Sequence, residues 1–319
     1  MHKGETKMKK VYTVGEALID FTAGQTETDK NIFYENAGGA PANVAACVAK
    51  LGGKSYVITK LGKDMFGGFL KLMLEKTGVN TDYVYFTSEA NTALAFVSLD
   101  EKGERSFSFY RSPSADMLLS IDDVKNIVFD KTDVLHFGSV DLIDAPVRDA
   151  HDMLIQKARG SGAVISFDPN LRYSLWKDKN ELLQIVRKYI PLADIIKVND
   201  EELRDITDIK DIKMAAMSLF KSEVKLVIVT MGACGAIAYT RRSEVFVPSE
   251  KVKKVVDTTG AGDSFIGAVL YQFVENGIDM SESELEKILT YANKTATFVV
   301  CGAGAIPSMP NRAQVFEGI

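Results

Sequence analysis

The chain has 319 residues and a formal net charge of −5, with 46% hydrophobic and 25% charged residues. A chain of this size and composition forms a sizeable core, so collagen-like, disordered and disulfide-scaffold classes are excluded. The acidic balance argues against a nucleic-acid partner. The apolar segment Leu226 to Tyr239 spans 14 residues. It is too short to cross a bilayer, so no membrane partner is expected either.

The cysteines and the N-terminus indicate a cytoplasmic protein. Cys47, Cys234 and Cys301 are far apart in sequence and form no Cys-x-x-Cys pair, and free thiols fit a reducing compartment. The charged N-terminal segment leads into no apolar run of the kind that a secretory signal requires.

Short apolar runs alternate with amphipathic helical segments along the chain. Strands are predicted, in chain order, at Val11–Ile19, Ser55–Lys60, Val134–Phe137, Ala163–Phe167, Ile195–Val198 and Leu226–Thr230. Helices are predicted at Pro41–Leu51, Asp64–Lys76, Pro146–Ala158, Asn180–Tyr189, Asp200–Ile206 and Ile212–Lys221. This alternation is typical of an α/β fold with a mostly parallel sheet and helices on both faces. Ligands of such sheets bind at the carboxyl ends of the strands.

One region breaks the alternation. Thr92–Leu99 and Arg105–Arg111 are strand-like and are joined by Asp100-Glu101-Lys102-Gly103, which is a hairpin signal. The polar stretch Thr22–Asn36 has no helical period. We interpret residues 20–37 and 91–112 as a small β-sheet lid inserted in one domain, residues 1–319. An ordinary edge hairpin is the alternative interpretation.

The motif with the clearest chemistry is Asp257-Thr258-Thr259-Gly260-Ala261-Gly262-Asp263, followed by a helical run from Ser264 to about Val274. Small residues that open a helix let backbone N–H groups approach an anion, and the helix dipole adds partial positive charge. Asp263 places a carboxylate at the same point. A carboxylate beside a bound phosphate is repulsive unless it has a task, such as accepting the proton of an attacking hydroxyl.

A second motif, Gly38-Gly39-Ala40-Pro41-Ala42-Asn43, opens the first predicted helix. Two glycines allow the backbone to approach a ligand, and Asn43 offers donors and an acceptor to a polyol. A plain loop-to-helix junction would carry the same residues. Asp20, at the end of the first strand, is a candidate acceptor for sugar hydroxyls or simply a solvated turn residue.

Together these motifs resemble the signatures of the ribokinase (PfkB-type) carbohydrate kinases, and within that family the chain is most similar to fructokinases. The N-terminal motif continues through Val44-Ala45, and the C-terminal one is Asp257–Asp263. The first strand ends in Gly15-Glu16-Ala17-Leu18-Ile19-Asp20. The second lid segment ends in Phe109-Tyr110-Arg111-Ser112-Pro113-Ser114-Ala115-Asp116. The resemblance implies a ribokinase-like three-layer αβα fold with a mostly parallel central sheet and a small β-sheet lid.

The resemblance also implies roles for individual residues. Asp263 is expected to be the catalytic base, and Gly260, Ala261 and Gly262 to form an anion hole for the transferred phosphate. The residues expected to bind the sugar, or the phosphate beside it, are Asp20, Gly38, Gly39, Asn43, Arg111 and Arg172, with Phe96 and Phe107 as apolar cover. A closed lid is expected to exclude water, because an open kinase site would hydrolyse ATP.

The nucleotide side follows in the same way. The residues implied for ATP are Asn199, Glu202, Thr230, Gly232, Gly235, Gly262 and Asn293. Asn199 and Glu202 match an Asn-x-x-Glu element that organises Mg²⁺ and phosphate, although Asn199 also suits a helix N-cap. For a monovalent cation such as K⁺, the matching positions are Asp257, Thr259, Val299, Gly302, Gly304 and Ser308. The apolar residues of the lid suit a homodimer formed through it.

The expected activity is ATP-dependent phosphorylation of a ketohexose, most simply D-fructose to fructose 6-phosphate. A 2-keto-3-deoxygluconate kinase is the first alternative, with Arg111 as the cation for its acidic substrate, and Asp20 and Asp116 disfavour it. A nucleoside kinase also stays open. A dinucleotide-dependent oxidoreductase lacks its expected Gly-x-Gly-x-x-Gly turn after the first strand. A non-catalytic sugar-binding regulator would be expected to lose Asp263 or the anion-hole glycines.

Overall fold

The computed structural model describes residues 9–24, 32–99 and 105–317. The strands of this part of the chain are β1 Lys10–Val14, β2 Leu18–Gly24, β3 Ile32–Gly38, β4 Lys54–Gly62, β5 Val84–Thr87, β6 Ala93–Leu99, β7 Arg105–Tyr110, β8 Val134–Phe137, β9 Val164–Phe167, β10 Ile195–Asn199, β11 Leu226–Thr230, β12 Ala236–Tyr239 and β13 Glu244–Val247. The helices are α1 Ala40–Lys50, α2 Met65–Thr77, α3 Ile121–Val124, α4 Pro146–Ser161, α5 Lys179–Tyr189, α6 Asp200–Thr207, α7 Ile212–Ser218, α8 Ala261–Asn276, α9 Glu282–Val300, α10 Ala305–Ser308 and α11 Arg312–Glu317.

Nine strands form the main sheet, in the order β13-β12-β11-β10-β9-β8-β1-β4-β5. All neighbours from β5 to β11 pair in parallel, and β12 and β13 add an antiparallel edge. Parallel strands are covered on both faces, which explains their continuous apolar runs. One face packs on α1, α8 and α9, and the other on α4, α5 and α6. The expected three-layer αβα fold is confirmed.

The second sheet has four strands in the order β3-β2-β6-β7. The predicted hairpin is present as the antiparallel pair β6–β7, and its turn, residues 100–104, lies outside the described residues. The polar stretch 22–36 contributes the end of β2 and most of β3, which pair antiparallel, while residues 25–31 lie outside the description. Among the described residues, no helix is long and apolar enough to span a membrane.

The prediction of one strand over Val11–Ile19 was wrong. The segment is two strands, β1 in the main sheet and β2 in the small sheet, and the chain changes direction at Gly15. Gly15 has φ +139°, and a Cβ there would lie 2.8 Å from Pro41 Cγ, so only glycine fits this turn. The break places the end of β1 and the start of the small sheet beside the N-terminus of α1.

Other predicted boundaries differ by a few residues. The helix expected from Ser264 begins at Ala261, because Gly260 takes the left-handed conformation that starts it. The helix expected to end at Lys221 ends at Ser218. Helix α9 and the hairpin β12–β13 were not predicted. Their contribution matters for the site, because α9 packs along α8 and β13 borders the loop after β11.

Candidate active site

The centre of the site is a contact between two helices that are far apart in sequence. Asn43 Nδ2 on α1 donates a hydrogen bond of 2.8 Å to Asp263 Oδ2 on α8, and both side chains are buried. The helices approach closely one turn further on, where a Cβ on Gly267 would lie only 2.8 Å from Cys47 Cβ. Asn43 and Cys47, like Asp263 and Gly267, are four residues apart and share a helix face. The glycine crossing therefore brings Asn43 onto Asp263.

Asn43 Oδ1 is buried and has no hydrogen-bond partner among the described residues. Such an unpaired buried acceptor costs free energy, on the order of 1–3 kcal/mol. A ligand hydroxyl or a water molecule is the natural donor for it. The Asn43 amide thus has one end on Asp263 and the other free for a polar ligand.

The first turn of α8 has the backbone geometry of a helix N-terminus that can accept an anion. Gly260 has φ +78°, and a Cβ there would collide with Ala305, so glycine is required. Ala261 N–H donates to Thr258 O at 3.3 Å. The N–H groups of Gly262 and Asp263 have no acceptor within the described chain, and they add to the positive end of the helix dipole.

The pKa of Asp263 is raised, and the causes are opposed. Burial of the carboxylate is the largest cause and raises the pKa, while the hydrogen bond from Asn43 and the charges of Arg172 and Lys197 lower it. A carboxylate whose pKa is higher than usual is a better proton acceptor. Asn43, Arg172 and Lys197 thus offset part of the cost of burying the negative charge of Asp263.

Asp20, Gly38 and Gly39 meet where β2 pairs with β3. Burial, followed by the charge of Asp263, raises the pKa of Asp20 to about 7, while Arg172 lowers it. Any Cβ on Gly38 would collide with Asp20 Oδ2. Gly39 has φ +102° and is the N-cap residue of α1. These residues form a second polar wall close to Asp263.

Glu16 was not predicted as a site residue. Its Oε1 accepts a hydrogen bond from Ala40 N at 3.0 Å, which caps α1 from outside the helix. Burial raises the pKa of Glu16 to about 7. The signal in the sequence was a carboxylate in an otherwise apolar run, and Glu16 holds the Gly39–Ala40 backbone in position.

Lys197 was also missed. Its side chain is buried, and Nζ lies 2.8 Å from Asp168 Oδ2. A lysine between Ile196 and Val198 in an interior strand was a visible anomaly in the sequence, since such strands are otherwise apolar. The structure brings Lys197 next to Gly262, at the first turn of α8.

Asn199 and Glu202 form a reciprocal N-terminal cap on α6. Asn199 Oδ1 accepts from Glu202 N at 2.7 Å, and Glu202 Oε2 accepts from Asn199 N at 2.9 Å. The N-cap interpretation of Asn199 is therefore correct. Glu202 also accepts from Leu171 N through its other oxygen. This contact ties α6 to the loop that carries Asp168 and Arg172.

Arg111 is not a free cation. It is buried, donates from Nε to Asp116 Oδ2 at 2.8 Å, and also pairs with Asp141. Two carboxylates therefore neutralise its single charge. Arg172, by contrast, acts electrostatically on both Asp20 and Asp263.

Phe96 lies on the small sheet within an aromatic cluster. Its ring stacks on Phe21 with centroids 4.9 Å apart and makes edge contacts with Phe33 and Tyr110 at 5.4 Å. Phe107 is paired with Val97 in the β6–β7 ladder, and its side chain lies outside the described residues. The small sheet thus presents an apolar surface near Asp20.

The glycine loop after β11 and Asn293 approach the same backbone segment. Gly235 has φ +113°, and a Cβ there would collide with Val247 O. Asn293 Nδ2, on α9, donates to Val247 O at 3.1 Å and to Pro248 O at 3.2 Å. Thr230 and Gly232 begin this loop at the carboxyl end of β11.

The six positions named for a monovalent cation contact one another in part. Asp257 links two of them, because its Oδ1 accepts from Thr259 N at 2.7 Å and its Oδ2 accepts from Gly304 N at 3.1 Å. Gly302 N donates to Val299 O at 3.1 Å. Gly302 also lies directly against Ser308. No three His, Cys, Asp or Glu side chains converge as metal ligands in the described parts of the chain.

A buried carboxylate at an anion-binding helix end, between a polar wall and a glycine loop, is the geometry of a phosphate-transferring enzyme. The fold and the site together define a kinase of the three-layer αβα type. The chain belongs to the pfkB family of carbohydrate kinases, and the sequence model of that family matches residues 8–312.

Relatives of the chain match nearly its whole length. It is 41% identical to "Fructokinase-1" of Zea mays over 96% of both chains. The fructokinase of Vibrio cholerae O395, solved in a form with fructose, ADP and calcium ion bound, is 33% identical with a TM-score of 0.90, over 98% of this chain and 99% of that one. The aminoimidazole riboside kinase of Salmonella enterica, complexed with aminoimidazole riboside and an ATP analog, is 29% identical with a TM-score of 0.87, over 97% and 99%.

Proposed function

We propose that the protein transfers the γ-phosphate of ATP to D-fructose and releases fructose 6-phosphate and ADP. The observation that carries the proposal is the buried Asn43–Asp263 pair, with its free Asn43 oxygen, at the anion-binding end of α8. The fructokinase relatives, one of them solved with fructose and ADP, support the choice of sugar and nucleotide.

In this mechanism a sugar hydroxyl is held by Asp20 and Asn43 and gives its proton to Asp263. The sugar oxygen then attacks the γ-phosphorus, and the bond to the ADP oxygen breaks in line. The N–H groups at the start of α8 stabilise the negative charge of the phosphoryl group during transfer. The raised pKa of Asp263 suits it to accept the proton.

A neutral sugar fits the charges better than an acidic one. A carboxylate substrate such as 2-keto-3-deoxygluconate needs an unpaired cation in the sugar pocket. Arg111 does not supply one, because Asp116 and Asp141 already pair with it. The charge of Arg172 is already opposed by the carboxylates of Asp20 and Asp263, whose pKa values it lowers. Asp20 adds a further acidic group near the same wall.

The site residues suit a divalent cation bound through ATP. Asp168 Oδ1 is a buried carboxylate oxygen without a partner among the described residues, and oxygen donors of this kind suit hydrated Mg²⁺. Asp168 and Glu202 are the residues that would hold it, and it would neutralise phosphate charge. For K⁺, the loop around Asp257 and Gly304 would supply mainly carbonyl oxygens.

The small sheet is proposed to be a lid over the sugar and the contact surface of a homodimer. Phe33, Tyr34 and Tyr110 are 42%, 59% and 66% exposed, which is unusual for neighbouring aromatic residues. Pairing of two such sheets would cover them. Free Cys47, Cys234 and Cys301 fit a cytoplasmic location.

The test is an ADP-release assay with fructose, other ketohexoses, ribose, 2-keto-3-deoxygluconate and aminoimidazole riboside, using the wild-type chain and Asp263→Asn. Fructose is expected to give the highest kcat/KM. Asp263→Asn is expected to lower kcat by about 10²–10⁴-fold and to leave ATP binding intact by calorimetry.

The control is Asp194→Asn, which changes a buried aspartate that bonds Ile165 N far from the helix end. It is expected to reduce stability and to keep kcat. Near-normal turnover by Asp263→Asn would remove the base from the mechanism. A preference for the riboside or the acidic sugar would replace fructose as the substrate.

A further inference from the structure

Lys197 is a buried cation aimed at the point where phosphate is expected to bind. It lies on β10, an interior strand of the main sheet, and is only 6% exposed. A Cβ built on Gly262 would lie 3.0 Å from Lys197 Nζ. The ammonium group therefore stands directly over the second residue of α8, beside its free N–H groups.

The surroundings keep this lysine charged. Its Nζ forms a 2.8 Å ion pair with Asp168 Oδ2, and an ammonium group is the form of lysine that makes such a charge-assisted hydrogen bond. Among the described residues, the only hydrogen-bond acceptor of Nζ is Asp168 Oδ2, at 2.8 Å. An ammonium group has three N–H donors, so two remain for a ligand.

A purely structural role explains this arrangement poorly. A buried ion pair is often no more stabilising than apolar residues of the same volume, and apolar residues surround Lys197 on its strand. The pair is also incomplete as a structural network, because Asp168 Oδ1 has no partner. Buried polar groups that serve structure alone are normally satisfied.

We propose that Lys197 is a catalytic residue that donates hydrogen bonds to the γ-phosphoryl group during transfer, and that Asp168 is its positioning residue. The inference rests on the proposed phosphate transfer at Asp263. As the phosphorus–oxygen bond to ADP breaks and the bond to the sugar oxygen forms, the electron pair goes to ADP and the hydroxyl proton to Asp263. Lys197 keeps its proton throughout and donates hydrogen bonds to the phosphoryl oxygens from beside the N–H groups of α8.

The first experiment compares Lys197→Met with wild type under saturating sugar. Lys197 is proposed to contact the γ-phosphoryl group during its transfer, so kcat is expected to fall about 10²–10³-fold, as when other donors to a developing anion are removed. The KM for ATP is expected to change little. The matched control is Lys60→Met. Lys60 is also largely buried and pairs with Asp123 at 2.6 Å, but it is not part of the site, so kcat is expected to stay within twofold of wild type.

The second experiment separates chemistry from folding. Lys197→Ala is assayed with methylamine and ethylamine, which can enter the space left by the side chain and supply an ammonium group. A concentration-dependent recovery of kcat is expected, and none for Lys60→Ala. A folded Lys197→Ala enzyme with no recovery would assign the lysine a structural role and overturn the proposal.

If Lys197→Met does not fold, Lys197→Gln takes its place, because it removes the charge, keeps an N–H donor for Asp168 Oδ2 and leaves Asp168 unchanged. A normal melting temperature with a kcat at least about 10²-fold lower supports the proposal. A kcat within twofold of wild type, in either variant, refutes it. A wild-type chain that releases no ADP with any sugar would instead contradict the proposed function.

Discussion

Replacing Asn43 by alanine is expected to move the pH dependence of the reaction. Asn43 donates the one side-chain hydrogen bond that Asp263 receives within the described chain, at 2.8 Å. Alanine keeps the helix and removes both the donor to Asp263 and the unpartnered Asn43 oxygen. The carboxylate then loses the strongest of the causes that lower its pKa.

The size of the effect follows from the geometry. A hydrogen bond to a charged group contributes about 1.5–3 kcal/mol, and about 1.4 kcal/mol corresponds to one pKa unit. The pKa of Asp263 is therefore expected to rise by about 1–2 units. Loss of the hydrogen bond lowers the free energy of unfolding, and loss of the unpaired buried oxygen raises it by a similar amount. The melting temperature is therefore expected to change by roughly a few degrees.

The assay is kcat for ADP release at saturating sugar and ATP, measured from about pH 5.5 to about pH 9. The base must be ionised, so the acidic limb of the kcat profile is expected to move to higher pH by the same 1–2 units, roughly. The control is Ser55→Ala, which removes a buried 2.7 Å bond to Ala45 O of the same helix. It is expected to lower stability and leave the limb in place. An unmoved limb in Asn43→Ala would refute the role of this hydrogen bond.

Three further predictions concern the sugar side and the lid. The pKa of Asp20 is raised to about 7, so kcat/KM for the sugar is expected to rise with pH up to that value and then level off. Asp20→Asn is expected to abolish this rise. An identical pH profile in the variant would contradict the role of Asp20 in sugar binding. Gly39→Ala would put a Cβ 2.5 Å from Glu16 O at φ +102°, and the expected loss of unfolding free energy, measured in urea, is about 3 kcal/mol from overpacking and backbone strain. Wild-type stability would contradict the close approach. Phe33→Glu with Tyr34→Glu is expected to convert a dimer to a monomer in light scattering, whereas an unchanged mass would exclude the small sheet as the interface.

The local chemistry of the site was readable in the sequence. The glycines around Asp263 and before Asn43 were expected to form helix starts, and both do so with left-handed or otherwise glycine-specific backbone. Asn199 was expected to cap a helix, and it does. Such features depend on a few consecutive residues, so sequence spacing is enough to predict them.

Lys197 and Glu16 were missed for the opposite reason. Each is a charged residue in an apolar strand or turn, and its partners, Asp168 and Ala40, lie more than twenty residues away. The break of the first strand at Gly15 was missed as well, because the close contact that requires glycine there is with Pro41, which lies on a different element. Arg111 was interpreted as a possible free cation, and its neutralisation by Asp141 depends on how two loops meet.

The sequence by itself determined the alternating strands and helices, the small sheet and the two glycine-containing motifs, because period, turn residues and helix caps are local properties. The tertiary structure alone decided that Asn43 contacts Asp263 and that Lys197 stands over Gly262. Those contacts depend on the glycine crossing of α1 and α8 and on the position of β10 in the sheet. Packing across the chain sets both, and no spacing along one segment encodes them.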